Sequence, residues 1–173
     1  RLGQWPERIS IDAAIDQRHS MAVAVPQLAE VLDARCVGND WCYLYTFSNG
    51  GAVASKTLSV YDASRWNVLW VLSSASNEGG SELSDATVAN LGDLLGVSCD
   101  LSNDIGPSDH RSGWNHDDTG GNTIYLTGGS HEWWYTGSFP DFFSGMANDG
   151  AVSYHSAGGL SDVYGITDDD PWL

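Results

Sequence analysis

An α/β fold, with a mostly parallel sheet flanked by helices, is what this sequence predicts, and three observations carry it. Residues 41–47 and 66–72 are unbroken β-prone runs rich in aromatics, the pattern of strands buried on both faces. Stretches with helical periodicity stand before, between and after them. Strand and helix therefore alternate, and a helical crossover is what joins parallel strands. The 173 residues suit one domain, 1–173, with a single core.

Each element follows in order. Residues 7–16 alternate around Ile9, Ile11 and Ala13, as a strand or its frayed end would. In 20–34 the apolar residues Met21, Ala24, Val25, Leu28, Val31 and Leu32 keep a helical period, interrupted by Pro26. A turn at 35–40 leads into the first strand, 41–47. The sequence Ser48-Asn49-Gly50-Gly51 breaks that strand sharply, and 52–60 resumes with a helical pattern. The second strand, 66–72, is followed by a polar, glycine-rich stretch at 73–81. Residues 84–95 form an amphipathic helix, with Val88, Leu91, Leu94 and Leu95 on one face and Gly96 as its stop. A long irregular stretch fills 101–122. A third strand is expected at 122–127, and a short fourth at 151–154. Internal repeats and interdomain linkers are absent from the sequence.

Composition narrows the function. Seven Lys and Arg stand against 23 Asp and Glu, a formal charge of −16. Such a chain cannot replace the counterions of a nucleic-acid backbone, and an anionic membrane surface would repel it. No apolar run reaches the roughly 18 residues of a spanning helix. Eighteen of the acids are Asp and Lys56 is the sole lysine. With 20 Gly, this describes a solvated, turn-rich surface of an extracellular kind. No signal-peptide pattern heads the sequence, so secretion implies a leader already removed. The Asp-dense loops have no regular calcium-ligand spacing. Three cysteines, Cys36, Cys42 and Cys99, allow one bridge and one remainder, and Cys36 with Cys42 would close a short loop. No Cys/His cluster suggests zinc, so no metal or cofactor is expected.

The sharpest chemical signal is the strand-turn-helix at Ser48. A nucleophile elbow places a serine on a strained turn, where its neighbours must be small to clear the strand and helix. The helix N-terminus behind it favours developing negative charge. The next amide, that of Asn49, is placed to help hold an oxyanion. The usual G-x-S-x-G reads here Thr46-Phe47-Ser48-Asn49-Gly50, with threonine in place of the first glycine.

At three ordered points the chain resembles the α/β-hydrolase lipases and esterases. These are the elbow; the stretch 72–81, like the small-residue loop that follows the elbow strand and helix in many lipases; and 148–157, which opens Asn148-Asp149-Gly150 and resembles their acid-bearing segment. The resemblance spans about 17–161. It implies Ser48 as nucleophile and Asp149 as the acid that orients a histidine. The family's histidine follows the acid by a few tens of residues, whereas only 24 residues follow Asp149 here, and their one histidine, His155, is either the candidate base or a structural or exposed imidazole. His110, His116 and His131 precede the acid, against family order. The resemblance also implies that the chain begins near the fourth strand of the usual sheet, lacking the first strands. It therefore implies a partner chain, or self-assembly, completing the sheet beside the first strand, and weak turnover by the chain alone.

The remaining signals have plainer readings. The run His131-Glu132-Trp133-Trp134-Tyr135 has tyrosine where a zinc-protease helix needs its second histidine. His116, Asp117 and Asp118 could touch a cation, with a solvated loop the plainer reading. Trp133, Trp134, Tyr135, Phe139, Phe142 and Phe143 read as core cover, an acyl pocket or a subunit contact. Two functions follow: an extracellular serine hydrolase acting on ester or related acyl bonds of small molecules or lipids, without a cofactor, and a non-catalytic secreted binding or assembly subunit on the same fold.

Overall fold

The structure, a computed structural model, describes residues 10–16, 19–85, 104–116, 118–128, 152, 153 and 155–157. Helix α1 (Met21–Arg35) buries Met21, Ala24, Val25, Leu28, Ala29 and Leu32. These recur every three or four residues, so they form one stripe. Burying each of the larger ones contributes roughly 1.5–3 kcal/mol. Pro26 removes one intrahelical donor, yet the helix runs on through it. At the far end Cys36 caps α1, its N–H donating to Leu32 O (2.8 Å). A Cys36–Cys42 disulfide then ties the helix end to the first residue of the next strand.

Three parallel strands follow: β1 (Cys42–Phe47), β2 (Val68–Ser74) and β3 (Thr123–Thr127), in spatial order β1-β2-β3. Leu44 lies opposite Val71, and Val71 opposite Ile124. Helix α2 (Asn49–Val60) and a short 3₁₀ turn (Ala63–Arg65) cross from β1 to β2. Gly51 lets α2 come close to Ser73 of β2, Ala52 and Ala54 are buried, and α1 packs alongside α2. Val53, Leu58, Trp66, Val68, Val71 and Trp114 complete the core with the α1 stripe.

The other face of the sheet corrects the sequence-based expectation of strands buried on both sides. Tyr45 and Phe47 are 73% and 71% exposed, and Tyr43 and Tyr125 about half exposed (50% and 55%). The three tyrosine rings gather around Trp70, with centroids 4.7 Å (Tyr43), 5.2 Å (Tyr45) and 6.4 Å (Tyr125) away. The outward residues of β1 are as β-prone and aromatic as the inward ones are apolar, so the run reads as continuous although burial alternates along it.

Other expectations also change. Residues 10–16 form no strand: Ala14 has φ 47°, and its N–H donates to Asp12 Oδ1. The irregular stretch 101–122 contains a helix, α4 (Pro107–Gly113), which has its proline in the first turn, where the missing N–H costs nothing. Within 84–95 the described part is the end of α3 (Glu82–Asp85). Of the short fourth strand, residues 151 and 154 lie outside the described residues, and Ser153 forms a bridge.

Candidate functional site

The carboxyl ends of β1 and β2 meet at Ser48. This residue has φ 51° and ψ −131°, a conformation that glycine adopts readily and other residues rarely do. Its N–H is held by Ser74 O (3.0 Å), which fastens the turn to the neighbouring strand. Serine at a helix N-cap ordinarily gives its hydroxyl to the helix's first amides. Here it makes no such bond and the residue is exposed, so Oγ faces solvent at the sheet edge. Asn49 is the first residue of α2, and the first N–H groups of a helix have no intrahelical acceptor. The amide assigned to the oxyanion therefore stands at the positive end of α2. A second strained residue, Ala75 (φ 47°), ends β2 at the same edge, its N–H bonded to Thr127 O (2.8 Å).

Threonine at the motif's first position is accommodated by its neighbour. Thr46 lies opposite Ser73 and its hydroxyl donates to Ser73 Oγ (3.1 Å). The close approach occurs at Gly51, where a Cβ would overlap Ser73 Oγ and Ser76 Oγ and lie 2.7 Å from Ser76 Cβ.

Behind the elbow is a polar layer that the sequence did not reveal. The Asn49 side chain is buried and accepts from Asn77 Nδ2 (3.2 Å). The Asn77 carbonyl accepts from His110 Nδ1 (2.7 Å) on α4. Trp114 lies against both His110 and His116, with ring centroids 5.1 and 4.4 Å away, and its indole N–H donates to Ser55 Oγ (3.0 Å). His116 donates from Nε2 to His110 O (3.0 Å), and its Nδ1 stands 3.8 Å from Glu78 Oε2. His116 is thus packed, not part of a solvated loop. The only signal that pointed here was the small-residue stretch 73–81, whose Ser73, Ser76, Asn77 and Glu78 are all buried.

Burial holds the His110 imidazole below its usual range, against the opposing pull of the Asn77 carbonyl and Glu78. The unfolded chain, with histidine near 6.5, takes up that proton first as pH falls. Between the two values the unfolded state binds more protons, so this group lowers stability as pH drops below about 6.5. Thermal unfolding between pH 7.5 and 5 should show a falling midpoint, and a flatter profile in His110→Gln. Parallel profiles for the two proteins would refute the assignment.

Ser48 and Asn49 stand at a strained turn between β1 and α2. Asp149 and His131 lie outside the described residues, as do Cys99 and the aromatic residues Trp133 to Phe143. His155 is buried in the turn at 155–157, and that turn is bonded to the loop after β2 through Gly79 N–H to Ser156 O (2.7 Å). His19 lies 3.6 Å from Asp16, before α1. A cavity of about 430 Å³ lies between α1, α2 and α4, lined by Met21, Val25, Lys56, Asp104, His110 and Trp114 among others. Neither Ser48 nor Asn49 lines it. Among the described residues no group of three His, Cys, Asp or Glu could hold a metal ion.

No protein-family model matches the chain, and no curated protein does. Solved structures do. A lipase of Bacillus licheniformis, BlEst2, in its propeptide form superposes with a TM-score of 0.64 at 22% identity, over 83% of this chain and 34% of that one. Its mature form gives 0.58 at 24%, over 83% and 62%. A metagenomic carboxyl esterase, MGS0156, gives 0.62 at 18%, over 82% and 48%. The chain spans between about a third and three fifths of the length of these proteins. Three parallel strands flanked by helices, matched to such structures, make this an α/β-hydrolase-like fold, in part.

Proposed function

We propose that the chain is a serine hydrolase of the lipase/esterase type, extracellular, acting on ester or related acyl bonds. The observation that carries this is Ser48: exposed, at positive φ between strand and helix, with its hydroxyl left out of the helix cap. In this reading Ser48 Oγ attacks the substrate carbonyl while a histidine takes its proton. Asp149 orients that imidazole, and the Asn49 N–H stabilises the oxyanion. The histidine returns the proton to the leaving alcohol, and water then hydrolyses the acyl-enzyme by the same steps. The lipase and esterase structures support the substrate class, and the disulfide suits an oxidising compartment. No described helix is long and apolar enough to cross a membrane. A fluorophosphonate probe tests the reading: it should modify Ser48, and peptide mass mapping should find the adduct there. An unmodified Ser48 in folded protein would favour the non-catalytic subunit instead.

The same reading includes association through β1. Among the described residues β1 is an edge strand, and its outward side carries Tyr43, Tyr45 and Phe47. An exposed edge beside a bare aromatic face invites pairing with another chain. Sedimentation velocity should show assemblies larger than 18.6 kDa that shrink in the double variant Tyr45→Lys, Phe47→Lys. A monomer at all concentrations would remove this part of the proposal.

A further inference from the structure

Helix α2 begins with little of its own to fix its first turn. Ser48, at the N-cap, makes no side-chain bond to the helix. Asn49 is followed by Gly50 and Gly51, a residue type whose helix propensity is second only to proline's in weakness. The Asn49 N–H has no intrahelical acceptor, so no backbone bond of the helix directs it. The Asn49 side chain, however, is only 6% exposed and is held from two sides. Its Oδ1 accepts from Asn77 Nδ2 (3.2 Å) in the loop after β2, and its Nδ2 donates to Met21 Sδ (3.8 Å) at the first residue of α1. Both partners lie 28 residues away along the chain, so tertiary contacts make these bonds. Asn77 is fixed in turn. Its carbonyl accepts from Gly80 N–H (2.9 Å) and from His110 Nδ1 (2.7 Å), which occupies both lone pairs. Met21 is tied down by its own N–H, which donates to Asp104 Oδ2 (3.1 Å). Asn77, His110 and Met21 are all buried.

A leucine at position 49 would fill similar space without the desolvation that a buried amide incurs. What the amide adds is direction, because each of its bonds holds only over a narrow range of angles. We propose that Asn77 and His110 are positioning residues for the Asn49 N–H: the hydrogen-bonded chain His110–Asn77–Asn49 sets the orientation of the peptide that meets the oxyanion. This rests on the hydrolase reading, in which that N–H is the donor. A donor stabilises an oxyanion most when it is already aimed and need not reorganise as charge develops. Two glycines in the first turn leave that aim to the Asn49 side chain, and Asn77 and His110 act through it. His110 serves from Nδ1, so the neutral ring carries its proton on that nitrogen.

The test is fluorophosphonate modification of Ser48 in the full chain, separated into probe affinity and maximal rate. Asn77→Ala removes the donor to Asn49 Oδ1 and keeps the carbonyl that His110 bonds. Its maximal rate should fall by about 10²-fold, the scale of a 1 Å misplacement, with probe affinity unchanged. His110→Leu should show the same pattern more mildly, because Gly80 still holds the Asn77 carbonyl. His110→Asn, which can set a side-chain N–H where Nδ1 stands, should recover most of the wild-type rate. In an Asn49→Leu background, itself slow, Asn77→Ala should lower the rate no further, because the side chain it orients is gone. Circular dichroism checks that each variant is folded, and His110→Leu serves if Asn77→Ala is not. A wild-type maximal rate in the folded variants, a loss confined to probe affinity, or losses that multiply with Asn49→Leu would overturn the positioning role and leave the hydrolase reading standing. An inert Ser48 in the wild-type chain would overturn both.

Discussion

Replacing Ser48 by glycine should make the protein more stable and leave it inert to acyl chemistry. At φ 51° and ψ −131° a side chain is strained by about 1–3 kcal/mol, and glycine removes most of that strain. Part of the gain is lost to the greater freedom of glycine in the unfolded chain, leaving about 1 kcal/mol, or a midpoint raised by about 3 °C. Ser48→Ala keeps the strain, so its stability should stay within about 0.5 kcal/mol of wild type. On the proposed reading, in which Ser48 is the nucleophile, both variants should lose fluorophosphonate labelling, and any ester turnover should fall by about 10³-fold or more. The pair separates strain from chemistry. Differential scanning calorimetry with active-site labelling would show it, and a Ser48→Gly variant less stable than wild type would contradict a strained elbow.

Gly51→Ala should do the reverse, damaging the fold in order to damage the site. The new methyl would enter the space of Ser73 Oγ and Ser76 Oγ, with Ser76 Cβ at 2.7 Å. Both serines are fully buried, so neither can swing into solvent. Helix α2 must then lift from the end of β2, at an overpacking cost of about 2–3 kcal/mol. For a chain of this size the midpoint should fall by roughly 5–10 °C. Ser48 and the Asn49 amide ride on the first turn of α2, so labelling should fall with it. Adding Ser73→Gly and Ser76→Gly to Gly51→Ala frees the volume and should restore part of both. Unchanged stability and labelling in Gly51→Ala would mean that α2 does not approach β2 as closely as described.

Much of this was legible in the sequence, for a definite reason. Strand β1, the break at Ser48 and helix α2 each rest on local signals: β-prone residues, a serine with two glycines behind it, and a helical period. Those signals agree, and so the strained strand-to-helix turn could be placed to the residue. Helix α1 was legible despite Pro26 because its buried stripe outweighs one lost hydrogen bond. That the strands run parallel followed from the helical crossover between β1 and β2.

What only the tertiary structure decided is what faces what. The row Tyr43, Tyr45 and Phe47 has the composition of a buried strand face, and the chain's own pattern cannot say whether a helix lies over it. Helix α4 is short and polar, and it exists because His110 and Trp114 pack behind the elbow, not because Pro107–Gly113 favours helix by itself. His116 looked solvated beside two aspartates until the fold set it against Trp114 and Glu78. Glu82 read as one acid among 23, because its partners Ser153 and Ser156 lie more than 70 residues away. Periodicity and turn chemistry act over a few residues and are written locally. Burial and long-range hydrogen bonding depend on chain closure, and they become determinate only once the sheet has brought distant segments together.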